Sequence, residues 1–218
     1  MLIERSMDPG WLSNAYLVAD KPGGTAVFVD SGAPLEPLLR KVDEWRVTPT
    51  HALRTHAHAD HVTHEAELGL PVARESLETG GLRIEAIPTP GHSDDMVCFV
   101  VNDAAVFSGD TLFRDAVGGG DFESIRRAVM DVYMAMPHER RVLPGHTDDT
   151  TIGREWERNP FVRVWRGVEP DGTERVRVGG EEATLVVWSP DYDGKGKALV
   201  RFSDGRKAIV GGSRVERL

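Results

Sequence analysis

The sequence predicts a mixed α/β (α+β) sandwich followed by a small all-β module. Strand-like and helix-like segments alternate along most of the 218 residues, which is typical of sheets with helices packed outside them. After about residue 167 the helical pattern ends, and only short strand-like runs remain. The chain is long enough for one sizeable core and one small module. We therefore predict one domain at 1–167 and a second at 168–218.

The first elements are a hairpin and a helix. "NAYLVAD" and "TAVFVD" are rich in β-forming residues and are separated by the turn signal "KPGG". The next segment, "PLEPLLRKVDEW", repeats its apolar residues at helical spacing, which predicts a one-sided helix. "THALRTH" then predicts a short strand, and "HVTHEAELG" predicts a short helix that ends at Gly69.

The middle of the chain repeats this alternation. "MVCFVV" and "AAVFSGD" predict a second strand pair, and "RRVLPGH" predicts one more strand. Between them, "DFESIRRAVMDVYMAM" predicts an amphipathic helix with Asp121 as its N-cap. "TTIGREWER" predicts a last helix, ended by "NP". In the C-terminal part, three or four short strands joined by "PDYDGKG", "SDGR" and "GGS" predict a small SH3-like barrel.

Composition limits the partners. The net charge is −9, which disfavours a protein whose main partner is a nucleic-acid backbone. From Gly179 to Leu218 there are seven basic and six acidic residues, so the C-terminal part offers no basic stripe either. The single cysteine, Cys98, excludes an internal disulfide and is expected to be a buried thiol. We see no signal peptide and no apolar run that would span a membrane, so we expect a cytoplasmic protein.

Seven residues have the types and settings of metal ligands. The string "RTHAHADH" places three histidines and an aspartate within six positions, and three more candidates follow strand-like runs and a glycine in "TPGH", "FSGD" and "LPGH". A glycine at a strand end allows the sharp turn that aims a side chain into a cleft. The candidate ligands are His56, His58, Asp60, His61, His92, Asp110 and His146.

The chemistry of this set indicates two metal ions. Imidazole and carboxylate suit zinc, iron or manganese, and no soft thiolate is offered. Seven ligands are too many for one catalytic ion but fit two ions with a shared carboxylate. His56 and His58 can chelate one ion with His92, while Asp60 and His61 reach a second with His146. We assign the bridging role to Asp110.

With its downstream partners in this order, "THAHADH" resembles the metallo-β-lactamase superfamily. The strings "TPGHS", "FSGDTLF" and "LPGH" are most similar to its glyoxalase II branch, in particular the short forms that lack the helical glutathione-binding domain. "TTIGREWERNPF" also resembles the end of those short proteins. The resemblance covers roughly residues 12 to 162. It implies the αββα sandwich of that superfamily, with the metal site at one edge of two packed sheets.

The resemblance implies a binuclear metallohydrolase that cleaves a small thioester such as S-lactoylglutathione. A metal-bridging hydroxide would attack the acyl carbonyl, with Asp60 and Asp110 as the catalytic carboxylates. We expect two divalent ions, zinc before iron or manganese. The expected partner is a small-molecule thioester, with neither nucleic acid nor a membrane, and the chain is either a monomer or a homodimer.

Two alternative reactions stay open. Persulfide dioxygenases resemble this family closely and use a single iron held by the equivalents of His56, His92 and Asp110. A metallohydrolase of another ester or lactone is the second alternative. It is favoured by "VGGGDFES" (117–124), which carries glycine where glyoxalase II relatives carry arginine, and by the missing helical domain. No substrate-binding residue is assigned. The C-terminal module is expected to be a structural barrel, with a binding module for protein or RNA as the alternative.

Overall fold

A computed structural model describes residues 1 to 218 and divides them into two compact units. Unit 1 consists of Met1–Pro88, Asp95–Gly109 and Leu143–Thr147, and unit 2 consists of Thr89–Asp94, Asp110–Val142 and Asp148–Leu218. The domain boundary at residue 167 stays a prediction.

The first sheet has five strands in the order β1-β2-β3-β4-β5. They are β1 (Leu2–Met7), β2 (Asn14–Ala19), β3 (Thr25–Val29), β4 (Thr48–Leu53) and β5 (Val72–Ala73). The predicted hairpin is confirmed, because β2 and β3 pair antiparallel. Strand β4 lies parallel to β3, and the crossover that parallel pairing requires contains the predicted helix α1 (Glu36–Trp45). Strand β1 was not predicted.

The second sheet has six strands in the order β11-β10-β9-β8-β7-β6. They are β6 (Leu77–Thr79), β7 (Leu82–Pro88), β8 (Val97–Val101), β9 (Ala105–Gly109), β10 (Arg141–Pro144) and β11 (Thr150–Thr151). The predicted pair β8–β9 is antiparallel. Strand β11 and the first half of β10 belong to unit 2, and the other strands belong to unit 1.

The two sheets enclose the main core of unit 1. Alternate residues of β2 and β3 meet residues of β7, β8 and β9 in one buried apolar cluster. At its centre the Tyr16 and Phe107 rings contact edge to face, with centroids 5.2 Å apart. All residues of β8 and β9 are buried, which explains why "MVCFVV" is continuously apolar instead of alternating. On the other face of the first sheet, Leu38 of α1 packs against Leu17 and Phe28.

The short helix predicted after the histidine cluster is in fact two helices. They are α2 (Ala59–Val62) and α3 (Glu65–Leu68), and the break falls at His64, whose backbone leaves the helical region. The second ends at Gly69 as predicted. The segment 59–68 is too short for helix propensity alone to hold it straight, so tertiary contacts decide its path.

Two helix predictions in unit 2 require correction. The helix that begins after Asp121 is α-helical only over α4 (Phe122–Arg127) and continues as a π-helix over Ala128–Tyr133. Helix α5 (Ile152–Arg158) is not the last, because Asn159 caps a further helix, α6 (Pro160–Trp165). Here the "NP" pair ends one helix and starts the next, since proline is well tolerated in a first helical turn.

The C-terminal strands form one antiparallel half-barrel sheet, which we call the C-terminal sheet. It consists of β12 (Glu174–Val178), β13 (Glu181–Ser189), β14 (Lys197–Phe202), β15 (Lys207–Gly211) and β16 (Val215–Arg217). A 3₁₀-helix (Gly212–Arg214) precedes β16, and the order is β15-β14-β13-β12-β16. The predicted all-β module is therefore present, with five strands instead of three or four. None of the helices in the protein combines the length and hydropathy needed to cross a bilayer.

Candidate metal centre

Every candidate ligand follows a strand. His56 and the residues after it follow β4, His92 follows β7, Asp110 follows β9 directly, and His146 follows β10. Side chains at strand ends are anchored by the sheet on one side and are accessible on the other, which suits a metal site. Unit 1 contains five of the seven candidates and unit 2 contains His92 and Asp110.

Three ligands of unit 1 form a compact cluster. The Oδ2 atom of Asp60 lies 3.6 Å from Nε2 of His61 and 3.4 Å from Nε2 of His146. His61 and His146 are buried, whereas the side chain of Asp60 is 26% exposed. One atom of each residue could therefore bind a single ion, and the carboxylate would stay accessible to solvent.

The two remaining ligands of unit 1 face each other. Nε2 of the fully buried His56 lies 3.1 Å from Nδ1 of the exposed His58. The two residues are separated by Ala57, so the extended backbone directs both rings to one side, as the sequence predicted.

A buried aspartate orients two of these histidines. Asp30 follows β3, is 5% exposed and accepts hydrogen bonds from the backbone N–H and the hydroxyl of Thr55, both at 2.8 Å. Its Oδ2 also lies 2.9 Å from Nδ1 of His61. The Thr55 hydroxyl is in turn 3.0 Å from Nδ1 of His56. A carboxylate that accepts a hydrogen bond from Nδ1 favours the tautomer in which Nε2 is the metal-binding nitrogen.

His146 and His92 are oriented by backbone carbonyls. Nδ1 of His146 donates to the carbonyl of Leu12 at 3.0 Å, within unit 1. Nδ1 of His92 donates to the carbonyl of Gly119 at 2.8 Å, within unit 2. Nε2 of His92 lies 3.5 Å from Oδ2 of Asp110. The second unit thus holds an imidazole and a carboxylate at the separation expected of two ligands of one cation.

The donor set fits a divalent transition metal. In four histidines the Nδ1 atom contacts a protein oxygen, and for His61, His92 and His146 the Nε2 atom faces a carboxylate. Imidazole and carboxylate are ligands of zinc, iron and manganese. The only cysteine, Cys98, is buried in β8 and offers no thiolate.

The supporting residues were not found from the sequence. Asp30 has one signal that could have revealed it, since "FVDSG" places a carboxylate directly after a buried strand and before a glycine, much as in "FSGD". The carbonyls of Leu12 and Gly119 have no such signal, because every residue has a carbonyl and only the fold selects which one faces a histidine.

Comparison with known proteins identifies the family. The chain superimposes on the BLEG-1 B3 metallo-β-lactamase with a TM-score of 0.67 and 25% identity, over 74% of this chain and 99% of that one. It is 31% identical to an uncharacterized protein of Mycobacterium tuberculosis, over 68% of this chain and 92% of the relative. The chain belongs to the metallo-β-lactamase superfamily. No protein-family model matches it.

One further relative and two further solved structures are also similar to the chain. The probable metallo-hydrolase YqgX of Bacillus subtilis is 27% identical, over 69% of this chain and 92% of the relative. TTHA1623, solved in a di-iron-bound form, is 32% identical with a TM-score of 0.60, over 72% of this chain and 98% of that one. ETHE1 from Myxococcus xanthus is 25% identical with a TM-score of 0.65, over 78% of this chain and 92% of that one.

Proposed function

We propose that this protein is a binuclear metallohydrolase that cleaves a small thioester. The observation that carries the proposal is the orientation of the histidines, whose Nδ1 atoms contact protein oxygens and whose Nε2 atoms face the carboxylates of Asp60 and Asp110. Superfamily membership supports metal binding by these histidines and aspartates, and the di-iron form of TTHA1623 supports two ions.

The residues of the chain have separable roles in this reaction. When bound, divalent cations lower the pKa of a coordinated water and polarise a carbonyl. The exposed edge of Asp60 can accept a hydrogen bond from a water and orient it as a nucleophile. Asp30 keeps His61 in one tautomer, and Gly119 does the same for His92.

A thioester is the favoured substrate class for a chemical reason. A thiolate is a good leaving group, so its departure needs no strong general acid, and we assign no acid in this chain. The glycines of "VGGG" (117–120) provide no side chain for a glutathione carboxylate, so we propose a thioester whose thiol part need not be glutathione.

A panel of substrates tests the proposal. Metal-replete protein is assayed on S-lactoylglutathione, a coenzyme A thioester, an oxygen ester and a lactone, alongside Asp110→Ala. We expect thioester hydrolysis that Asp110→Ala lowers by at least a hundredfold. Activity on the oxygen ester or the lactone alone would contradict the proposed substrate class but not the proposal that the protein is a hydrolase. The absence of any hydrolysis would overturn the hydrolase itself.

The likeness to ETHE1 favours a second candidate, a mononuclear iron persulfide dioxygenase. That reaction needs two histidines and one carboxylate, for which His56, His92 and Asp110 are the candidates. Oxygen uptake with glutathione persulfide separates the two proposals. Oxygen consumption by protein with one iron per chain would replace the hydrolase with the dioxygenase.

A further inference from the structure

The segment after Asp110, residues 110–121, lies entirely within unit 2, and we call it the ligand loop. It starts with one candidate metal ligand, and its Gly119 carbonyl accepts the Nδ1–H of another, His92. The position of this loop therefore influences two ligands at once.

The C-terminal sheet, with the loop 190–196 that joins its strands β13 and β14, contacts the ligand loop at three separate places. Ile209 of β15 forms an antiparallel bridge with Gly120. The buried hydroxyl of Ser189, at the end of β13, donates a hydrogen bond to the carbonyl of Asp115. The Tyr192 ring meets the Phe113 ring edge to face, with centroids 5.9 Å apart. These contacts cover the beginning, middle and end of the loop.

The Ile209 contact leads directly to a metal ligand. Gly120, bridged to Ile209, adjoins the Gly119 carbonyl that orients His92. Gly120 has a φ of +147°, and a Cβ there would overlap the carbonyl oxygen of Gly91, the residue before His92. The backbone N–H of Asp121 also donates to that carbonyl at 2.9 Å. Two contacts therefore connect β15 to the His92 ring. They are the bridge between Ile209 and Gly120 and the hydrogen bond from His92 to the Gly119 carbonyl.

The Tyr192 contact is itself held firmly. Lys197 of β14 forms a 2.9 Å ion pair with Asp191, and both side chains are at least nine-tenths buried. The ammonium group of Lys197 also lies 5.8 Å from the centre of the Tyr192 ring. A buried ion pair with good geometry restricts the two segments that it joins, so the loop 190–196 presents Tyr192 in a fixed position.

We infer that the C-terminal sheet is a positioning element of the metal centre. It fixes the ligand loop through Ser189, Tyr192 and Ile209, and so holds Asp110 and the carbonyl that orients His92. The inference rests on the proposed function in one respect, namely that His92 and Asp110 bind metal. It assigns the sheet a role in the centre, as opposed to that of a separate barrel or a recruitment module.

Two variants of the sheet test this inference. Ser189→Ala removes the hydrogen bond to the loop, and Tyr192→Leu removes the ring contact. Val176→Ala is the matched control, since Val176 is buried in the core of the same sheet and belongs to none of the three contacts. Zinc affinity of metal-free protein is measured by competition with a chromophoric chelator, and amide hydrogen exchange of 111–121 is measured by mass spectrometry.

We expect Ser189→Ala and Tyr192→Leu to weaken zinc binding by about tenfold or more and to speed exchange in 111–121, as loss of groups that support ligands typically does. Val176→Ala should lower thermal stability without either change. Wild-type affinity and exchange in both loop-contact variants would overturn the inference. If wild-type protein binds neither zinc, iron nor manganese, the proposed function fails, while the exchange measurement still decides whether the sheet fixes the loop.

Discussion

Asp30 supports two histidines of the candidate centre, one directly and one through Thr55. It is buried and lies outside the four motifs that contain the candidate ligands. Its carboxylate matters because an imidazole that donates from Nδ1 to an anion is a better Nε2 ligand. The geometry of the candidate ligands therefore depends on supporting residues as well, such as Thr55 beside His56 and Asp30 outside the four motifs.

Asp30→Asn should weaken metal binding by about 10- to 100-fold, because the amide keeps its size but removes the negative charge facing His61. The control is Asp20→Asn. Asp20 also accepts backbone N–H bonds in a turn, yet it contacts no candidate ligand. Chelator competition measures both variants. Equal affinity in Asp30→Asn and wild type would contradict the role given to Asp30.

Gly32 is required by a close approach of two backbone segments. A Cβ at this position would overlap the carbonyl of Asp60, in the segment that also carries His61. Gly32→Ala should therefore displace that segment and reduce metal affinity by at least tenfold, because packed interiors do not yield easily. In Gly211→Ala the added Cβ meets only ordinary contacts, so that variant should bind metal as wild type does. Wild-type metal affinity in Gly32→Ala would contradict this prediction, because it would show that the backbone accommodates the added Cβ without displacing Asp60 and His61.

Among the secondary-structure elements, the helix after Asp121 was predicted correctly at its N-terminus but not at its C-terminal half. Asp121 accepts a hydrogen bond from the backbone N–H of Ser124, as an N-cap should. The segment is amphipathic as predicted, with Phe122, Ile125 and Val129 buried. The change to a π-helix at Ala128 could not be predicted from α-helical periodicity, because a π-helix has more residues per turn, and Tyr133 is buried where Val132 is only partly buried.

The N-cap gives a pH-dependent prediction. Hydrogen bonds from Ser124, first its side chain and then its backbone, hold the pKa of Asp121 below the usual 3.8. The stabilisation is therefore complete above that usual value and is lost as the pH falls through the lowered pKa. Asp121→Ala should cost about 1 kcal/mol of unfolding free energy near pH 6. Urea unfolding at pH 6 and pH 3 should show a smaller loss at pH 3, and an equal loss at both pH values would refute the assignment.

Helix α5 carries a buried carboxylate that ties it to the ligand loop. Glu155 is fully buried and accepts hydrogen bonds from Thr150, Arg154, Asn159 and the backbone N–H of Asp115, at 2.6 to 3.0 Å. The hydrogen bond to Asp115, followed by that to Glu155, raises the pKa of Arg154, so the guanidinium stays charged. The network joins α5, α6 and the loop in unit 2.

Glu155→Ala should destabilise the protein by about 2–4 kcal/mol, since it removes a fully buried carboxylate that accepts four hydrogen bonds, although Arg154 keeps its ion pair with Asp115. Glu157→Ala, an exposed position of the same helix, should change stability by less than about 0.5 kcal/mol. Denaturant unfolding monitored by circular dichroism measures both. A loss below about 1 kcal/mol in Glu155→Ala would mean that the network adds little to stability.

For the whole molecule, local patterns predicted the sandwich, the strand pair β8–β9 and the C-terminal module. They did not predict β1 or β5, because β1 is mostly partly exposed and β5 has only two residues. The seven candidate ligands could be found because metal chemistry restricts their residue types. Asp30, the carbonyls around the histidines and the contacts from the C-terminal sheet depend on long-range packing, which leaves no local pattern.

The central claim is that two ions occupy this centre. The number of metal ions per chain, measured by native mass spectrometry on zinc-reconstituted protein, tests it most directly. We expect two zinc ions in the wild type and one in His146→Ala, because His146 is assigned to the ion shared with Asp60 and His61. A single ion in the wild type, unchanged in His146→Ala, would contradict the binuclear account.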